Sequence, residues 1–272
     1  KTGPAMRFDF TGSDPCVRGP INAPLPVTSS AVFYTVLAFT GGDIAPNSGV
    51  YEGIEIVAPE GTIVNAAYPA PVVAANTETA NRLVDMLMMA LSQAYPEMVA
   101  GGSYGSACVY TLGGRDDRKA GAGRPFVHYE TIGGGMGATR AGDGISGLRV
   151  HMGNTMNLPI EASEAMLPVR FHAYEIVRDS GGGGAHRGGG GVRKTVEALV
   201  DGIEASLLGE RTLTPARGVA GGEDGALARF TLHRQGGDSV ALSAKSGPHA
   251  LNTGDRLEMI TAGGGGWGRR ES

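Results

Sequence analysis

Apolar positions recur along this chain with two periods. Met6 to Phe10 (MRFDF) alternates apolar and polar residues, the two-residue period of a strand. Val32, Phe33, Val36 and Leu37 then recur at helical spacing, with Thr28, Ser29 or Ser30 placed to cap a helix that runs to about Ala38. Between them, Pro15, Pro20, Pro24 and Pro26 predict a turn-rich segment without regular structure. Ile54, Ile56 and Ala58 alternate again, and with Ile63 to Ala66 beyond the turn Pro59-Glu60-Gly61 they predict a hairpin. The clearest helix spans about Glu78 to Tyr95, where Leu83, Val84, Leu87, Met88 and Leu91 form one wide apolar stripe.

Beyond Gly101 the two-residue period takes over. Strands are predicted at 107–112, 125–132, 169–177, 192–199, 203–210, 228–233 and 257–261, with a short helical turn near 162–167. The fold class expected is α+β: mixed, β-rich sheets with a few helices, glycine-rich loops and a β-rich C-terminal subdomain. The expected division is 1–167, an α+β core carrying glycine-rich site loops, and 168–272, the β-rich subdomain; a single domain is the alternative.

Composition changes this picture in one respect. The 272 residues contain 46 glycines but only 7 Phe, 8 Tyr and 1 Trp, against an ordinary glycine usage of about 7%. No G-X-Y period is present, so the glycines belong to turns, bulges and close backbone approaches. A net charge of −4 without any long like-charge run argues against nucleic acid as a partner. The longest apolar helical run, Leu83 to Leu91, is interrupted by Asp85 and is too short to cross a bilayer. Cys16 and Cys108 show no CxxC spacing, and the N-terminus has no secretion signal, so reduced thiols and a cytoplasmic location are expected. The chain starts at Lys1, which suggests a processed product or a piece of something longer.

Candidate chemistry concentrates between Glu130 and Glu161. An apolar run ends in Glu130, three consecutive glycines follow (Gly133, Gly134, Gly135), and His151, Asn154 and Asn157 close the segment before Pro159. Two carboxamides and an imidazole offer donors and acceptors without net charge, which suits a neutral amide or enol, although asparagine and glycine are equally turn formers. Gly133, Gly135 and Ala138 fit G-x-G-x-x-A after a strand, but no amphipathic helix follows to hold a pyrophosphate. Gly101, Ser103 and Gly105 fit G-x-S-x-G, but they follow a helix where a nucleophile elbow needs a strand. The six histidines form no HExxH pair. His128 and Glu130 share a strand face with Phe126 and Ile132, read as half-buried packing.

Taken together, FDFTGSDPCVRGPINAP, IEIVAPEGTIVNA with NTETANRLVD, PFVHYETIGGGMGA, HMGNTMNLPIEASEAMLP, RDSGGGGAHRGGGGV and AGGGGWG resemble the hydantoinase B/oxoprolinase family in its C-terminal half. The resemblance covers essentially the whole chain. It departs at Cys16, where the family usually has glutamine, and at Gly105-Ser106-Ala107-Cys108, where the family has a Gly-Thr-Met-Asn-like run. It implies the B-type subunit of an ATP-dependent hydrolase of cyclic amides such as hydantoins, 5-oxoproline and other lactams. An ATP-dependent ketone carboxylase of the acetone or acetophenone type is the alternative, and a non-catalytic domain docking the metal-bearing half is a third.

In the mechanism implied, a hydantoinase A-type partner uses ATP to phosphorylate the lactam or enol oxygen, and a metal-bound water then attacks the activated carbonyl. ATP with magnesium would sit on that partner and a divalent metal in the N-terminal half of the family protein. This chain would bind no cofactor, supply no metal ligand and be inactive alone, within a hetero-oligomer. Its expected part is a substrate wall, with Glu130 and the backbone of Gly133, Gly134 and Gly135 positioning the substrate and His151, Asn154 and Asn157 bonding its polar edge. No catalytic residue is assigned.

Overall fold

The computed structural model describes residues 6–42, 44–118 and 123–270, which fall into two compact units, Lys1–Val99 and Ala100–Ser272. In the first unit, strand β1 (Met6–Asp9) leads through the proline-rich segment to helix α1 (Leu25–Phe39), α2 (Ser48–Tyr51) and strand β2 (Ile54–Val57). A π-helical turn, Ala75–Thr79, runs into α3 (Ala80–Ser92), and a 3₁₀ turn follows at Pro96–Met98. Ala31 and Val32 of α1 and Leu83, Val84, Leu87 and Met88 of α3 are buried, as their helical spacing requires.

Two expectations fail in this unit for identifiable reasons. Helix α1 begins at Leu25, before the serines and threonine expected to cap it, because Pro26 falls in the first turn, where a missing N–H costs nothing. β2 does not form a hairpin with 63–66: it pairs in parallel with β1, Met6 opposite Ile54, while 62–65 close a local turn. The proline-rich segment is held by Asn22, which is fully buried. Its amide donates to the carbonyls of Val17, Gly19 and Pro71 and accepts from Val17 N–H.

The second unit contains β3 (Val109–Asp116), β4 (Arg124–Thr131), helix α4 (Ile160–Met166), β5 (Val169–Ile176), β6 (Val192–Ala198), β7 (Ile203–Leu208), β8 (Arg229–His233), β9 (Ser239–Ala241), β10 (Lys245–Leu251) and β11 (Arg256–Ile260). They form two antiparallel sheets, ordered β10-β7-β3-β4 and β5-β6-β11-β8-β9. One core joins their inner faces, with Tyr110, Leu112, Ala205 and Leu207 from the first and Val196, Phe230, Leu257 and Met259 from the second. The architecture is α+β with mixed sheets and few helices, as the periodicity predicts. Position 167/168 lies within this unit, where Leu167 and Val169 enter the same core. Strand β10 is absent from the sequence reading because Gly247 and Pro248 interrupt it. It tolerates them as an edge strand with a bulge between Ser246 and His249, the setting in which a strand can accept proline.

The glycine runs are not surface loops. Segments around 133–137, 181–191 and 263–266 bond to one another backbone to backbone. Gly135 donates to Ala262 O, Gly189 to Met136 O, Gly264 to Gly189 O and Gly265 to Gly102 O. A Cβ built on Gly264 would lie 2.0 Å from Met136 O, so only glycine fits this approach. Among the described residues no helix is long and apolar enough to cross a membrane.

Gly264→Ala is expected to cost about 3 kcal/mol, since the clash is with backbone that cannot swing aside, which is roughly 6–12 °C in Tm. Gly142→Ala, where nothing lies within 4 Å, should leave Tm within about 2 °C. Calorimetry of the two variants separates a packed glycine scaffold from a permissive one.

Candidate functional site

Alternation along β4 turns His128 and Glu130 inward, and the antiparallel register sets Tyr110 of β3 directly opposite Glu130. Lys194 arrives from β6 in the other sheet and is 1% exposed. One extra residue in β5, between Phe171 and Ala173, lets Phe171 and Tyr174 face the same way although they are three apart. Their ring centroids lie 4.9 and 4.8 Å from Lys194 Nζ, and that of Tyr110 lies 5.5 Å away. A buried ammonium is thus surrounded by three π faces, an arrangement that offsets part of its lost hydration.

The remaining compensation comes from Glu130. Its Oε2 accepts from Lys194 Nζ at 2.5 Å and from the Tyr110 hydroxyl, with His128 Nε2 at 3.3 Å. Its Oε1 accepts from Asn157 Nδ2 at 2.6 Å. Burial raises the Glu130 pKa, but the His128 contact, the Lys194 charge and the Tyr110 hydrogen bond outweigh it and hold the carboxyl at about 2. Burial pushes the Lys194 ammonium below the ordinary lysine range, opposed by Glu130. Burial, reinforced by the Glu130 charge, raises the Tyr110 phenol, which stays a neutral donor. A carboxylate with four such partners has little acceptor capacity left for a ligand, so Glu130 acts by fixing what surrounds it.

What it fixes is Asn157. The Asn157 amide nitrogen also donates to Thr131 O at 2.8 Å, and its oxygen accepts from Tyr174 Oη at 2.8 Å and an Arg149 terminal nitrogen at 3.1 Å. Arg149 bonds the Thr131 side chain and carbonyl as well. The network therefore has a buried end, Lys194, Tyr110 and His128, and a solvent-facing end, Arg149 and Asn157 half-buried and Tyr174 42% exposed. A guanidinium, a carboxamide and a phenol meet there; the Asn157 amide protons and the Tyr174 hydroxyl proton already go to protein acceptors, so it is the remaining N–H groups of Arg149 that suit the carbonyl or carboxylate oxygen of a small polar substrate.

Of the residues expected from sequence, Glu130 and Asn157 are brought together. Gly133, Gly134 and Gly135 are buried and spend their backbone on packing: Gly134 N donates to Leu148 O, and a Cβ on Gly134 would sit 2.3 Å from the Tyr104 ring. His151 is half-buried with φ 65°, and Asn154 is exposed outside the network. Lys194, Tyr110, Arg149 and Tyr174 escaped the sequence reading. The signal for Lys194 was present, because it occupies the inward position between Val192 and Val196 on an otherwise apolar strand face, where a lysine is rarely found unpaired.

Ser103 is buried and accepts from Gly105 N–H in a loop, which agrees with its reading as no nucleophile elbow. Among the described residues no three His, Cys, Asp or Glu side chains converge to hold a metal ion. An open cleft of about 460 Å³ lies elsewhere, bounded by Asp143, Ser146, Arg178, Asp179 and Arg187, with Arg187 paired to Asp179 at 2.6 Å.

The family model described as hydantoinase B/oxoprolinase matches residues 1–270. The chain is 34% identical over 261 residues to 5-oxoprolinase 1 of Arabidopsis thaliana, covering 96% of this chain and 19% of that protein. The crystal structure of the ATP-dependent caprolactamase from Pseudomonas jessenii superposes with a TM-score of 0.78 at 27% identity, covering 95% of this chain and 45% of that one. An acetone carboxylase structure shares the fold with a TM-score of 0.77 at 20% identity, over 97% of this chain and 40% of that one. The chain spans less than half the length of the curated relatives it matches.

Lys194→Met strands a buried carboxylate and should cost about 3–5 kcal/mol in denaturant unfolding, whereas the E130Q/K194M pair should recover part of it. The depressed Glu130 carboxyl contributes stability that is complete above its ordinary value of 4.5 and is lost as pH falls towards about 2. Glu130→Gln should therefore remove that share of the acid-induced destabilisation; equal acid slopes for both proteins would show that the carboxyl is not held low.

Proposed function

Because this chain belongs to the hydantoinase B/oxoprolinase family, we propose that it forms part of the substrate pocket in an ATP-dependent hydrolase of cyclic amides, as the C-terminal part of its B-type subunit. The observation that carries this reading is the polar end Arg149, Asn157 and Tyr174, held at the surface by a buried ion pair. A lactam or hydantoin presents one or two carbonyl oxygens in a rigid ring. The Arg149 N–H groups not already bonded can hold such an oxygen in a fixed direction, and the Tyr174 oxygen, whose proton goes to Asn157, can accept from the ring N–H. Glu130 is the positioning residue, since its carboxylate orients Asn157, whose oxygen aligns Arg149 and Tyr174. His151 and Asn154 lie on the same anchored segment and are further candidate contacts. The glycines contribute the rigid bed beneath.

The names of two relatives, 5-oxoprolinase and ATP-dependent caprolactamase, favour the hydrolase reading. The carboxylase likeness, at 20% identity, carries architecture alone. ATP and a divalent metal belong in this reading to the hydantoinase A-type partner and to the remaining half of the family protein. Cys16 and Cys108 are not disulfide-linked, which suits the cytoplasm proposed for the assembly.

In the full assembly, Asn157→Ala, which releases Arg149, and Tyr174→Phe, which removes an acceptor for the ring N–H, should each lower kcat/KM for 5-oxoproline, a hydantoin or caprolactam by about tenfold. Unchanged kinetics in both variants would remove this end of the network from the pocket. Carboxylated product from a ketone and bicarbonate, without ring opening, would replace the hydrolase reading.

A further inference from the structure

Arg149 and Asn157 are tied to Glu130, Thr131 and Tyr174, yet the stretch 149–158 and the residues just before it turn apolar side chains outward. Met156 is 92% exposed, and Ile145, Met152 and Leu158 are exposed as well. The strip continues onto the edge strand β5. Gly147 lies against Ile176, whose Cδ1 would be 2.8 Å from a Cβ there, and the Tyr174 hydroxyl reaches Asn157. Ile176 and Tyr174 are themselves exposed. Met156 and Leu158 flank Asn157, whose amide is tied to Glu130, Thr131, Arg149 and Tyr174. Exposed apolar side chains gathered on one segment and on the edge strand beside it mark an interaction surface.

We infer that this strip is where the remaining half of a full-length family protein docks, closing the pocket over Arg149, Asn157 and Tyr174. The inference rests on the pocket-wall reading. The occupant is argued from size and position. The curated relatives and the caprolactamase carry at least as much chain again as the part matched here. The strip also borders the one end of the buried network that reaches solvent. A partner seated there excludes water from this polar end, which strengthens the bond from Arg149 to a substrate oxygen. The surface expected on the partner is an apolar protein face, and unbranched methionines adapt well to such a face.

The test uses the full assembly treated with hydrogen peroxide, with the rate of sulfoxide formation at Met156 read by peptide mass spectrometry. Oxidation at least tenfold slower than that of N-acetylmethionine amide supports docking; an equal rate overturns it. Photo-crosslinking from p-benzoylphenylalanine incorporated at Met156 identifies the occupant. Crosslinks to the remaining half support the inference, and crosslinks only to a second copy of this segment overturn it. A protected, crosslinked Met156 in an assembly without lactam turnover would sink the functional reading alone. Turnover with a fully oxidisable Met156 would sink the docking alone.

Discussion

The second unit depends on a carboxylate and an ammonium that meet where neither can be solvated. Glu130 and Lys194 come from different sheets, and each would be costly to bury without the other. Their pairing therefore does more than add stability. It specifies how the inner faces of β4 and β6 register against each other, because a displaced sheet would leave two unpaired charges in the core. Tyr110, Phe171 and Tyr174 complete the shell, and the extra residue in β5 is what lets two of those rings reach the ammonium. From this point the network runs outward through Asn157 to the surface, so a core interaction and the candidate site are one object.

Around this pair the chain replaces side-chain packing with backbone packing. Gly134, Gly135, Gly189 and Gly264 approach within distances that a methyl group would forbid, and their amides and carbonyls bond to one another. This explains a composition that otherwise looks poor in core-forming residues. At Gly133 to Gly135, close approach, the property that suggested a binding loop, is used between segments of the same chain.

How much of this was legible in the sequence follows from which signals are local. Alternation located the seven strands expected beyond Gly101, since each carries its pattern in its own residues. Partner choice is not local, so nothing in Ile54 to Val57 announced a parallel pairing with Met6 to Asp9. The site divides the same way. Glu130 and Asn157 stood in one stretch and were read together, whereas Lys194 and Tyr174 reach them only after the sheets assemble. Gly-Pro in β10 hid a strand because an edge position and a bulge, both tertiary facts, make it admissible.

The long-range bonding of the glycine scaffold also sets an order of events during folding. Gly265 bonds to Gly102, Gly135 to Ala262, and Thr261 donates its hydroxyl to Gly133 O, so the bed under the candidate site is closed by the last strand and the run that follows it. Contacts so distant along the chain form slowly, because loop closure must precede the reward. On a ribosome, the segment bearing Asn157 would emerge long before the residues that organise it. Until the final glycine run is made, a nascent chain would hold β3, β4 and an apolar, methionine-bearing segment without the bed that fixes them, which makes this interval the one in which the protein is most exposed to misassembly.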